Sequence, residues 1–494
     1  MHPHITNPSM KFSKFALGIH RITGTLISLC FFLWFVTGLV LVYHSYPRLP
    51  EKTNNALKET LPDSLPDLSV FTAMAGDTLH SLSVRQFLGQ TLVRVSSADT
   101  TFTACTDTLQ EVKSLTFADA ERIARQWVDA PIARVDTLHE RAQWVMYERY
   151  ERVMPIYKFT FADSDSHEFF ISGKTGAAQQ LTDKKQRTWA WLGAIPHKLY
   201  FTSIRCNLSL WKTCITTGGI LCLLAALSGW GIGIYMQVKS RRSTGAWRNP
   251  FKKTAYRWHH ILGLIFGLFL ICWGISGSLA MQKVPKWLVP YDSEYTMYAP
   301  DVWGDDMLDL QAFKLDYSTL KEAYPALKEV EWTSIGEKPV YRIIADSAEH
   351  FVDASSEEVK PLEVTEEAVM NRMHKLYGDN VKVSVEKMES YDEYYLSSEG
   401  RLALPVYKVM IDDKDGSRFY IGIHDDYVRF FNHNKMARKW MFSAMHYLHI
   451  KYLVERPVLW HTCLWILCLG GACVSFTGFL LGIKYLRRKL FKGL

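Results

Sequence analysis

Among its nine cysteines the chain has no Cys-x-x-Cys pair, which excludes a zinc ribbon, a thioredoxin-type dithiol and a covalent haem attachment through Cys-x-x-Cys-His. It has no Gly-x-Gly-x-x-Gly fingerprint following an expected strand, so it carries no nucleotide cradle of its own. Low complexity is absent too, because an aromatic share of 13% rules out a disordered scaffold. Four stretches lack Asp, Glu, Lys, Arg and His for 22 residues or more: Ile22 to Tyr43, Thr213 to Val238, Ile261 to Gln282 and Thr462 to Ile483. Each is long enough to cross a bilayer core of about 30 Å as a helix. Four such runs are unusual for buried helices of a soluble protein, and the first is too long and lacks the small-residue site of a cleaved signal peptide.

Charge sets the expected orientation. Lys11, Lys14 and Arg21 precede the first run. Lys239, Arg241, Arg242, Arg248, Lys252, Lys253 and Arg257 lie between the second and third, and Lys484, Arg487, Arg488, Lys489 and Lys492 follow the fourth. These short segments contain no acid, while the whole chain is only +7, so the remainder is net acidic. The positive-inside rule places the basic segments and both termini in the cytoplasm. Their position at helix ends makes topology a better account than a nucleic-acid patch. The expected order is a cytoplasmic N-terminus 1–16, membrane helix 17–44, outer segment 45–200, helix 208–236, basic loop 237–258, helix 259–282, outer segment 283–448, helix 457–484 and basic tail 485–494.

The halves repeat. At an offset of 239, His20, Gly24, Trp34 and Gly38 return as His259, Gly263, Trp273 and Gly277. At an offset of 249, His197, Trp211, Cys214 and Gly229 return as His446, Trp460, Cys463 and Gly478. Helix, outer segment, helix is therefore the unit, taken twice in the same sense, as in parallel repeats about an axis near the membrane normal. Each outer segment has a helix-like stretch, with Thr116 and Thr365 as expected N-caps, before two β-rich stretches around a turn, PIYKFTFADSDSHEFFI and PVYKVMIDDKDGSRFYIGI. Asp412, Asp413 and Asp415 read as a solvated turn rather than a calcium loop, since no later Glu completes the ligand spacing. The outer segments show no paired carboxylates, Ser/His/Asp set or metal-ligand spacing. The fold class expected is a four-helix membrane bundle of two parallel repeats carrying two small α+β outer domains.

Ionisable residues at membrane depth suggest function. His20 and His259 begin the first and third helices on the basic side, and His197 and His446 stand in the same relation on the outer side. Two symmetric pairs, one per face, are the arrangement that clamps haem iron axially in a helical bundle, and Gly24, Gly38, Gly263 and Gly277 would allow close helix approach. Two centres are needed because one would leave most of the apolar core uncrossed. Solvated interfacial histidines are the bland alternative. His44, His260, His449 and His461 lack symmetry mates, and any could replace the symmetric choice on its face. His2 and His4 read as a tail. Trp34, Trp273, Trp211 and Trp460 read as packing or interface residues, and Cys214 and Cys463 as small apolar ones. Cys105 and Cys206 lie outside with no spacing that pairs them, and Tyr391, Tyr394 and Tyr395 read as strand packing rather than a contact surface.

The segments HRITGTLISLCFFLWFVTGLVL, RWHHILGLIFGLFLICWGISGSL and RKWMFSAMHYLHIKYLVERPVLWHTCLWILCLGGACVSFTGFLLGIKYLRRK, with the LPVYKV hairpin and the YDEYY run, resemble the PepSY-associated transmembrane family over nearly the whole chain. The resemblance implies periplasmic PepSY domains, residence in a Gram-negative inner membrane, and b-type haem, two per chain, held by membrane histidines that pass electrons to periplasmic ferric siderophores. Carried over, His20, His259 and His446 match the family's histidine-bearing helix starts and His197 follows from the internal repeat. His449 and His461 stand where related sequences carry acidic residues. The expected donor is a quinol or a separate flavoprotein. The competing expectations are a membrane-anchored regulator of a periplasmic protease and a metal or siderophore transporter.

Overall fold

The computed structural model describes residues 8–75, 79–97, 101–108, 115–304, 307–398 and 400–490. His2, His4 and Lys492 lie outside them. Among the described residues four helices are long and apolar enough to cross a membrane: α1 (Pro8–Tyr43), α4 (Leu208–Thr244), α5 (Thr254–Leu279) and α8 (Pro457–Leu490). Between them stand four shorter helices that matter here: α2 (Phe117–Trp127), α3 (Ala194–Lys198), α6 (Glu366–Tyr377) and α7 (Met445–Tyr447). The chain is a multi-pass membrane protein with sheet-containing outer segments.

The apolar character of the long helices runs all round, as expected where lipid replaces water on the outer face. Their ends are set by local chemistry. Asn207 caps α4 by accepting from the Leu210 amide at 3.0 Å, and Gly245 ends it in the left-handed conformation at φ +70°. On the basic side α4 runs past the apolar stretch through Arg241 and Arg242 to Thr244, because Lys and Arg favour the helix C-terminus and carry their charge beyond the lipid. The bundle is a square in which α1 and α5 each pack against both α4 and α8, so α1 faces α5 across the centre. Close approach comes from Gly219, against the Ser278 backbone, and from Gly274, where an added Cβ would lie 2.7 Å from the Leu223 Cα. Gly277 faces Gly219, whereas Gly24 and Gly263 face open space, so these two are not the contact points the sequence suggested.

Among the described residues the outer segments build three antiparallel sheets. β4 (Ile132–Leu138), β5 (Ile156–Phe161), β6 (Glu168–Ser172) and β7 (Ala178–Thr182) form one in sequence order; β12 (Val383–Met388), β13 (Val406–Ile411), β14 (Arg418–Gly422) and β15 (Val428–Phe431) form another. Each buries one face under a helix, α2 through Ala120, Ile123 and Ala124, and α6 through Val369 and Met373. Thr116 and Thr365 cap those helices as expected, accepting from the Asp119 and Ala368 amides, each at 3.2 Å.

The third sheet crosses the boundary between the halves. β1 (Leu79–Phe87), β2 (Gln90–Ser97) and β3 (Thr101–Cys105) come from the first outer segment. β8 (Leu327–Ile335), β9 (Lys338–Ala345), β10 (Ala348–Asp353) and β11 (Lys360–Pro361) come from the second. The order is β11-β10-β9-β8-β1-β2-β3, joined where Leu82 to Arg85 pair with Trp332 to Glu329. One shared core, including Val84, Val93, Val330 and Ile343, underlies it, so the outer segments are welded rather than self-contained.

Candidate functional site

The square bundle brings the four symmetric histidines together in two pairs. At the basic end, His20 on α1 and His259 on α5 face each other across the centre with ring centroids 6.0 Å apart. Beneath the outer segments, His197 on α3 and His446 on α7 face each other at 6.1 Å. The latter two sit not on membrane spans but on short helices that tuck against them. From the level of His20 to Gly38, where His197 packs, α1 rises eighteen residues, about 27 Å at 1.5 Å per residue.

Each imidazole is tethered through Nδ1. His20 Nδ1 donates to the Ala225 carbonyl of α4 at 3.0 Å, and His259 Nδ1 lies 3.2 Å from the Val474 carbonyl and 3.0 Å from the Thr477 hydroxyl of α8. His197 Nδ1 donates to the Trp34 carbonyl of α1 at 3.0 Å. His446 Nδ1 lies 3.0 Å from the Ser276 hydroxyl of α5, which itself donates to the Trp273 carbonyl. A carbonyl can only accept, so the proton of each neutral ring is on Nδ1 and the Nε2 lone pair is free. That is the outer-shell arrangement that orients a metal-binding histidine. Burial lowers His197 to about 4 and His446 to about 3, keeping both neutral and able to donate that lone pair. Two metal–imidazole bonds of about 2 Å each, plus the ring radii, require centroids about 6 Å apart, which both pairs satisfy.

The segments bearing the outer pair are fixed the same way twice. Trp211 Nε1 donates to the Lys198 carbonyl at 2.7 Å, and Trp460 Nε1 to the Tyr447 carbonyl at 2.8 Å, in each case the residue after the histidine. Next come Leu199 and Leu448, both held in left-handed backbone at φ +51° and +55°, a conformation non-glycine residues rarely keep without such support. Trp273 adds a third tie, from its Nε1 to the His446 carbonyl at 2.8 Å. These tryptophans are thus anchors of the site as well as packing residues. Gln143 of the first outer segment holds Tyr200 and Thr202, both by 2.8 Å bonds, and Glu393 of the second pairs with Lys439 at 2.6 Å in the π-helical turn leading into α7.

A cavity of about 560 Å³ opens around the outer pair, with Trp34 and Gly38 on one side, Trp273 and Gly277 on the other, and Lys198 and Arg438 as its cations. Glycines make room for the rings themselves. A Cβ at Gly229 would lie 2.5 Å from His20 Cε1, one at Gly38 3.1 Å from His197 Cε1, and one at Gly478 3.2 Å from His259 Cε1. Gly229 and Gly478 repeat at the same offset, which is the signal that could have found them.

The other histidines stand apart. His260 has both ring nitrogens engaged, Nδ1 with Asn249 and Nε2 with the Gly233 carbonyl, each at 3.1 Å. His44 stacks on Trp189 at 4.1 Å, His461 packs edge-on against Tyr43, and His449 lies beside Tyr447. Cys105 and Cys206 are free thiols. Tyr395 is fully buried and stacks on Tyr420, with Tyr391 packed against the same cluster, so the aromatic run is largely core. Asp163, Asp165 and His167 converge within 4.8 Å in the β5–β6 turn, a spacing the sequence reading passed over. His167 bonds Asp163 there at 2.6 Å, which closes the turn.

A family model described as PepSY-associated TM region matches residues 17–484. No curated protein matches the chain.

Proposed function

The chain belongs to the PepSY-associated TM region family, and on that premise we propose that it is an inner-membrane haem-dependent oxidoreductase that carries electrons outward to reduce a periplasmic ferric siderophore. The observation that carries this reading is the pairing of tethered imidazoles, His20 with His259 and His197 with His446, with ring centroids 6.0 and 6.1 Å apart; each pair would hold one haem iron. Haem b, when bound, supplies a one-electron Fe(III)/Fe(II) couple in each place.

The chain's own residues do the rest. Nδ1 tethers fix ring orientation and leave Nε2 free of those carbonyls. Gly24 and Gly263, one turn beyond His20 and His259, leave open space where a side chain would meet a flat macrocycle. In the outer cavity Trp34 and Trp273 give apolar walls, while Lys198 and Arg438 would face carboxylates. Phe31, Phe35 and Trp273 pack with centroids 5.1 and 4.7 Å apart between the two levels, keeping water out of the apolar core.

In this reading the halves are parallel repeats, the outer segments are PepSY-type and periplasmic, and the basic ends are cytoplasmic. Delivery of one electron to Fe(III) in a siderophore weakens its hold, because hard oxygen ligands bind Fe(II) less tightly. With no nucleotide fingerprint in the chain, the donor is a quinol or a separate flavoprotein. A protease-regulating anchor would leave the matched histidine pairs without a purpose. Sealed vesicles containing the protein and an internal reductant should reduce an external ferric chelate, read with a ferrous-specific chromophore. Equal rates with a His197→Ala, His446→Ala variant would contradict the proposal.

A further inference from the structure

A second hollow lies beside the basic-end pair. It is a groove of about 640 Å³ between α5 and α8, with Trp258, Leu262, Phe476 and Leu480 as its apolar walls. Trp258, Phe476 and Leu480 are exposed, so the groove is a notch in the lateral face of the bundle, open to the bilayer. At its basic end stand Lys253, Lys484 and Arg488, which have no acidic partner among the described residues. α5 begins at the same place, and Lys253, its N-cap, gives no side-chain cap to the first-turn amides. Three cations and a helix start at the mouth, above an apolar channel, complement an anion joined to a hydrocarbon chain.

We propose that this groove binds an anionic phospholipid, with its phosphate among Lys253, Lys484 and Arg488 and an acyl chain along Leu262, Phe476 and Leu480. The binding itself does not depend on the haem reading; only its leaflet, the cytoplasmic one, rests on the orientation proposed above. A quinol fits less well, because the lining contains no Asp, Glu or His to take its proton. The site reaches the histidines through one hydroxyl. Thr477 lines the groove and also holds His259 Nδ1 at 3.0 Å, so an occupant there adjoins the tether of one paired imidazole. At the positions equivalent by repeat, Lys253 and Arg488 return as Lys14 and Lys239 but Lys484 becomes Tyr235, so the α1–α4 face keeps two of the three cations and lacks the one beside the channel.

The test compares the full-length protein with two variants of equal charge change. One is Lys253→Gln, Lys484→Gln, Arg488→Gln; the other, a control on the α1–α4 face, is Lys14→Gln, Lys239→Gln, Arg242→Gln. Each is reconstituted in nanodiscs of phosphatidylglycerol and phosphatidylethanolamine, and the retained lipid is counted by native mass spectrometry. At about 1 kcal/mol for each cation, the groove variant should lose on the order of a hundredfold in phosphatidylglycerol affinity, while the control keeps it. Equal loss in both variants, or retention in the groove variant, overturns the proposal. So does displacement of the retained lipid by a short-chain quinone, which would assign the groove to a redox donor. If the groove variant aggregates, Leu480→Trp, which fills the channel without touching the charges, should lose the lipid; retention there overturns the proposal equally.

Discussion

The two histidine pairs hold their rings at almost the same separation, 6.0 and 6.1 Å between centroids, by different means. At the basic end both histidines ride on 26- and 36-residue membrane helices, and each is tethered to the neighbouring helix, so helix packing alone sets their geometry. Beneath the outer segments the histidines sit on helices of five and three residues, fixed by tryptophan indoles and left-handed leucines and braced by Gln143 and Glu393 from the outer segments. The comparison teaches that one site is part of the membrane bundle and the other is shared between bundle and outer segments. Perturbing the outer half should therefore reach only one of them.

The strongest way to break this comparison is to delete each pair. His20→Ala with His259→Ala, and separately His197→Ala with His446→Ala, should each remove one of two haems, halving the reducible absorbance per protein. Loss of both haems from either deletion would mean that the sites are not independent. Glycine substitutions come next. Gly229→Ala puts a methyl 2.5 Å from His20 Cε1 and should displace that ring at a cost of about 1–3 kcal/mol, lowering occupancy at the basic end alone. Gly38→Ala, with 3.1 Å to His197, should give the same kind of defect at the other site but a smaller one, as read by pyridine haemochrome titration. Removing an anchoring indole should be milder still. Trp211→Phe or Trp460→Phe deletes one hydrogen bond worth about 1 kcal/mol and should shift the midpoint potential of the outer haem while leaving the other unchanged. Smallest, Thr116→Ala or Thr365→Ala should cost about 1 kcal/mol of outer-segment stability through the lost N-cap, visible in thermal unfolding, with no change in either haem spectrum.

How much was legible in the sequence follows the same division. The four spans, both capped helices and both β5–β6 and β13–β14 hairpins were readable, because hydropathy, Thr caps and alternation around Asp-rich turns are local signals. The pairing of His20 with His259 and of His197 with His446 was readable from the repeat, since symmetry supplies the long-range information that a single segment lacks. The seven-stranded sheet was not: Val84 pairs with Val330, and alternation announces a strand without naming its partner. The three-residue helix carrying His446 was equally hidden, because its shape depends on the Trp460 and Trp273 indoles rather than on its own propensity. Gly24 and Gly263 look like contact points in the sequence because small residues usually are. In the square packing the backbone of α1 lies closest to α4 and α8 and meets α5 across the centre through side chains such as Phe35 and Trp273, and nothing lies within 4 Å of a Cβ at Gly24 or Gly263.

The claim on which the account turns is that these imidazoles grip iron. The most direct measurement is a reduced-minus-oxidised absorbance spectrum of the purified chain from haem-replete cells, with haem counted per protein. The account predicts a b-type spectrum at two haems per chain; a colourless preparation would contradict it.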